Sequence, residues 1–133
     1  MPIAGNFYIV KLKKAHLEWG THRYTGSRGL VYGEGYIHLP KDYAELFKVY
    51  NSNYSITGLG YNIFNCVSAD GFFSGEVKAA GCRKAGEIYA KQFEGHGNLK
   101  ALGQWYAYCN AQVGDHVEVK WTSPYNIVIR YIN

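Results

Sequence analysis

Residues 22–28 bring together His22, Arg23, Tyr24, Thr25, Ser27 and Arg28 in a stretch punctuated by Gly20, Gly26 and Gly29. A second stretch carries Arg83 and Lys84 between Gly81 and Gly86, then Lys91, Gln92, Glu94, His96 and Asn98 around Gly95 and Gly97. Guanidinium, ammonium, amide and hydroxyl groups are the side chains that contact phosphates and base edges, with arginine suited to guanine and glutamine to adenine. Glu94 would accept from a cytosine amino group, which gives an acid in a basic loop something to do. The same residue types also fit ordinary solvated turns, so their distribution along the chain matters.

The net charge of +4 over 133 residues is unevenly spread. Residues 1–41 carry a balance of +4, residues 42–77 one of −3, residues 78–100 one of +3, and residues 101–133 none. Two basic segments thus flank an acidic one, and each contains one of the glycine-punctuated stretches. Lys11, Lys13, Lys14, Lys41, Lys84 and Lys100 add cations that would contact phosphate rather than read bases.

Other chemistries find little support. Asp70 with Glu76-Val-Lys78, and Asp115 with Glu118-Val-Lys120, match the acid-then-E-x-K order of metal-dependent nucleases only superficially, because each first acid lies just a few residues from its partner motif. The five histidines show no H-E-x-x-H spacing, and neither a nucleophile elbow nor a glycine-rich phosphate loop is present. The expectation is therefore no catalytic residue, no metal and no cofactor. Cys66, Cys82 and Cys109 are odd in number and far apart, and read as reduced thiols of a cytoplasmic protein. Cys82, beside Arg83 and Lys84, could carry a lowered pKa, yet it is more simply a loop residue beside two cations. No stretch approaches the roughly 18 apolar residues of a membrane helix, so no membrane partner is expected.

The elements that must position these loops follow from composition and period. With 13 Tyr, 16 Gly and only 3 Pro, the chain favours strands joined by glycine turns. Strands are expected over residues 6–12, 30–39, 61–67, 71–77, 87–93, 117–121 and 127–132, with residues 61–77 forming a hairpin about Asp70-Gly71. Pro40 opens a short helix over residues 41–50 with Tyr43, Ala44 and Phe47 on one face. Leu99, Leu102, Trp105, Tyr106 and Cys109 recur at helical spacing despite Gly103. The order implies one domain spanning residues 1–133, mainly β, a partly open barrel with two helices at its ends.

Within this order, Gly35-Tyr-Ile-His-Leu-Pro-Lys-Asp-Tyr-Ala-Glu-Leu-Phe47 resembles the strand-to-helix "IPxxxAxxF" segment of B3-type DNA-binding domains. Leu102-Gly-Gln-Trp-Tyr-Ala-Tyr, followed by Gln112-Val-Gly-Asp-His-Val-Glu-Val119, is similar to their "GW…L-x-x-G-D-x-V" segment. The resemblance implies a seven-stranded open β-barrel, the DNA-binding pseudobarrel, with two short flanking α-helices. It also implies that two loops, the N-arm and the C-arm, clasp the major groove of double-stranded DNA. The N-arm would hold residues 22–28, and the C-arm would lie within residues 83–98. The long approach to the "IP" segment is similar to the recognition domains of restriction endonucleases of the EcoRII, BfiI and NgoFVII kinds. That branch implies a non-catalytic target-recognition domain working with a nuclease domain or subunit, with no small-molecule substrate. A small metal-dependent nuclease and a barrel that binds single-stranded DNA or RNA through exposed tyrosines stay open as alternatives.

Overall fold

The computed structural model describes residues 1–13, 16, 35–81 and 87–133. Among them run seven strands and two helices: β1 (Phe7–Lys11), β2 (Ile37–His38), α1 (Lys41–Phe47), β3 (Ile63–Ser68), β4 (Ser74–Ala80), β5 (Gln92–Gly95), α2 (Ala101–Tyr108), β6 (His116–Ser123) and β7 (Asn126–Ile132). One sheet in the order β1-β6-β7-β3-β4-β5-β2 holds all seven. Every neighbouring pair is antiparallel except β3 with β7.

The sheet curls into a nearly closed barrel. Its end strands, β1 and β2, face each other across a seam bridged by the Tyr8 hydroxyl, which donates to the His38 carbonyl at 2.9 Å. Period-two alternation turns Tyr8 and Val10 of β1, Phe64 and Cys66 of β3, and Val117, Val119 and Trp121 of β6 into the lumen. Trp121 sits at the centre, its ring 5.5 Å from Phe47, 5.7 Å from Phe64 and 6.1 Å from Phe93. These edge-to-face and tilted contacts are the arrangements aromatic quadrupoles favour.

α1 begins after Pro40, whose carbonyl accepts from the Tyr43 and Ala44 amides, and Asp42 in the first turn suits the positive end of the helix. Its last residue is Phe47, three residues short of the boundary expected from periodicity, and Lys48 caps it in a left-handed conformation (φ 61°). Gly35 packs closely on α2: a Cβ there would lie 3.1 Å from the Gly103 Cα.

Two strand expectations need correction. The strand expected over residues 87–93 is β5, displaced toward the chain's end; Tyr89 forms only an isolated bridge with Tyr50, and pairing with β4 begins at Gln92. Of the strand expected over residues 30–39, only Ile37 and His38 are paired among the described residues, and residues 30–34 lie outside them. The Asp70-Gly71 hairpin forms as β3–β4, with Gly71 at φ 83° in the turn, where a side chain would be strained.

Candidate nucleic-acid interface

The first basic loop connects β1 to β2, and the second connects β4 to β5. Lys14, His22, Arg23, Tyr24, Thr25, Ser27 and Arg28 of the first, and Cys82, Arg83 and Lys84 of the second, lie outside the described residues. What the structure describes is how the two loops are rooted.

Both roots meet at β2, and its two-residue length brings them together. On the first loop's side, the His16 carbonyl accepts from the Tyr36 amide at 3.3 Å, which ties the incoming chain to the outgoing one. The His16 ring is buried, with Nδ1 accepting from the Lys13 amide at 3.1 Å. Its ring stacks on His38 at 5.6 Å and meets Tyr36 edge-on at 5.1 Å. The Tyr36 carbonyl in turn accepts from the Tyr106 hydroxyl of α2 at 2.8 Å. On the second loop's side, His38 is paired with Gln92, the Lys91 carbonyl accepts from the Leu39 amide at 2.9 Å, and the His38 ring hydrogen-bonds the Lys91 backbone.

Both imidazoles of this joint are biased toward the neutral form. Burial, the neighbouring His38 and Lys13 together push His16 down to about 4, so its ring keeps a free acceptor for the Lys13 amide at neutral pH. Burial and Lys13 lower His38 as well, against the opposing hydrogen bond to Lys91. Sequence reasoning missed this joint, since His16, Tyr36 and His38 show no metal or catalytic spacing, and only the sheet order makes them neighbours.

The remaining expected contacts divide by position. Lys11, Lys13, Lys41, Lys91 and Lys100 are all exposed, and Lys41 lies 3.9 Å from Glu45 along α1. Lys100 stands at the N-terminus of α2, where no acidic residue occupies the first turn. Lys91 ends the second loop. Gln92 and Glu94 instead belong to β5; Gln92 is only 9% exposed, and Glu94 pairs in register with Lys78. His96 and Asn98 are exposed in the turn after β5, with the His96 amide donating to the Glu76 carbonyl at 2.9 Å. The Asn98 Oδ1 accepts from the Lys100 amide at 3.1 Å, an Asx-type turn that leads into α2. The structure therefore separates Lys91 at the loop from residues 94–98, which follow it along the strand and beyond.

Three of the four acids of the nuclease-like patterns are engaged elsewhere. One Asp70 carboxylate oxygen accepts from Ser68 Oγ and the Phe72 amide, and the other from Trp105 Nε1 at 2.9 Å and Cys109 Sγ at 3.6 Å. Burial would raise this carboxyl, but those hydrogen bonds outweigh it and hold Asp70 below its ordinary 3.8. Asp115 accepts from the Tyr131 hydroxyl and the Gln112 amide, and Glu118 pairs with Arg130 at 3.3 Å across β6–β7. Among the tyrosines, Tyr8 and Tyr106 are buried, while Tyr54, Tyr61 and Tyr89 surround Tyr50 at 5.3–6.2 Å, each half-buried.

No protein-family model matches this sequence, and no curated protein matches it. Among solved structures, the chain is similar to Arabidopsis FUS3 in a FUS3–DNA complex, at 18% identity over 96% of this chain and 98% of that one. That neighbour is a plant B3 domain with a nearly closed barrel, and a TM-score of 0.53 places the present chain in the same fold.

Proposed function

We propose that this chain binds double-stranded DNA sequence-specifically, using its two basic loops as arms in the major groove. The observation that carries this reading is the meeting of both loop roots on β2, where His38 stacks on His16 and hydrogen-bonds Lys91. Two segments singled out by charge alone thereby share one anchorage. The FUS3 structure, solved as a DNA complex on the same fold, supports it.

In this reading Lys11, Lys13, Lys14, Lys41, Lys84 and Lys100 hold phosphates, and Arg23, Arg28 and Lys91 reach base edges, each good bidentate contact discriminating by roughly 1–3 kcal/mol. The chain has no catalytic task of its own. It serves in the cytoplasm as the target-recognition part of a restriction endonuclease whose nuclease centre lies in another domain or subunit.

The test is a gel-shift selection from a randomised duplex library at about 0.15 M salt, without and with magnesium. A short enriched motif, lost on Arg23→Ala or Lys91→Ala, is the expected result. Salt-sensitive retention without a motif, or preference for single strands, overturns the reading. Cleavage by the purified chain in magnesium would transfer the nuclease activity to this domain.

A further inference from the structure

Among the described residues, the outer edge of β1, which faces β2 and α1 across the seam of the barrel, carries no backbone pairing. Antiparallel pairing alternates, and because the Trp121 amide donates to the Asn6 carbonyl and the Leu12 amide to the Asp115 carbonyl, the even-numbered residues face β6. Phe7, Ile9 and Lys11 therefore direct their amides and carbonyls away from it, and among the described residues none of these groups has a backbone partner outside the sheet. An unpaired edge is a template for another strand unless Pro, bulges or charge blunt it, and β1 has only Lys11 at its far end.

Alongside this edge runs a groove of about 470 Å³, lined by Gly5–Ile9 on one side and by Tyr43, Leu46 and Phe47 of α1 on the other. Its rims are apolar and exposed: Phe7 is 52% accessible, Ile9 47% and Leu46 69%. An edge strand facing a helix across an apolar groove is the arrangement in which extended peptides add to a sheet, with main-chain hydrogen bonds giving affinity and alternate side chains giving specificity.

The charge around the strand selects the occupant. Lys11 and Lys13 are exposed where β1 ends and Lys120 is exposed opposite Phe7, while of the nearby acids Glu118 is engaged by Arg130, Glu45 by Lys41, and Asp42 lies in the first turn of α1. We propose that this groove takes an extended acidic segment of a partner protein, added to β1 as a further strand. Its alternate apolar side chains lie between Phe7, Ile9 and Leu46, and its carboxylates lie toward Lys11 and Lys13. The groove residues belong to neither arm, while Lys11 and Lys13 are shared with the phosphate contacts proposed above.

The probe is a displayed library of random nonapeptides selected against the full chain in the absence of DNA, followed by fluorescence anisotropy with the enriched peptide. Enrichment of alternating apolar and acidic residues is expected. Leu46→Asp and Ile9→Asp, both at exposed positions, should weaken binding at least tenfold with unchanged circular dichroism. N-methylation of alternate peptide amides should abolish binding in one register and spare it in the other, which mere adhesion to an apolar surface would not do. The proposal is overturned if no peptide is enriched, if the variants bind equally well, or if sedimentation shows the groove occupied by a second copy of the chain. Duplex binding unaffected by Leu46→Asp keeps the outcome separate from that of the arms.

Discussion

α2 holds two connections of the barrel, and it holds them differently. The β3–β4 turn is short and fixed throughout: Asp70 and Ser68 satisfy the turn's own amides, Trp105 and Cys109 fasten the carboxylate to α2, and Phe72 stacks on Tyr108 at 4.3 Å. Of the first basic loop the described residues are its base, where Gly35 touches Gly103, the Tyr36 carbonyl accepts from Tyr106, and the His16 carbonyl accepts from the Tyr36 amide. A turn that only reverses the chain can be determined at every residue.

The strongest way to break this contrast is to remove what both connections share. Trp105→Ala, which empties a fully buried ring position on α2, should cost about 3–5 kcal/mol in chemical denaturation and loosen turn and arm root together. Asp70→Ala acts on the turn alone: leaving its donors unpaired should cost about 1–3 kcal/mol, while DNA affinity stays within twofold in a filter-binding assay. A parallel loss of DNA binding would mean that the two connections are not independent. Tyr106→Phe acts on the arm root alone. It should cost about 0.5–1.5 kcal/mol, raise amide exchange at Tyr36 and leave the β3–β4 turn protected.

Acid provides the mildest probe. The unfolded chain takes up a proton on His16 near 6.5, whereas the folded chain refuses it until about 4. The stability this histidine contributes is therefore complete above pH 6.5 and declines as pH falls toward 4. Thermal melts should show that decline, reduced in His16→Phe; an unchanged slope in the variant would assign it to other groups. Asp70, held below its ordinary value, adds its own loss only at more acid pH, as its carboxylate is protonated.

Much of the barrel was legible in the sequence because period-two alternation survives wherever one strand face is buried, as in β6, and because Asp70-Gly71 marks its own turn. The misplacement of β5 has a physical cause. Its paired residues include Gly95, where a Cβ would lie 2.0 Å from the Asn98 carbonyl oxygen, and Gln92, a polar side chain turned inward, so neither propensity nor polarity signals a strand. The charge pattern marked the two basic loops but not the roots that join them. His16 and Lys91 are far apart in sequence, and no local rule links them until β2 pairs with β5.

The strand order also bears on how the chain reaches its native state. β1 lies against β6, with Tyr8 opposite Val119, and β3 lies against β7, so both pairings must close loops spanning much of the sequence. The β3–β4 and β6–β7 hairpins can form locally and early. β1, by contrast, must wait for β6, which follows it by about a hundred residues. Such non-local topology places refolding in the millisecond-to-second range, about where other β-barrels of high contact order fall. Throughout that interval Tyr8, Val10 and Leu12, buried once the barrel forms, are unshielded, making β1 a segment at which the folding chain needs protection from its neighbours.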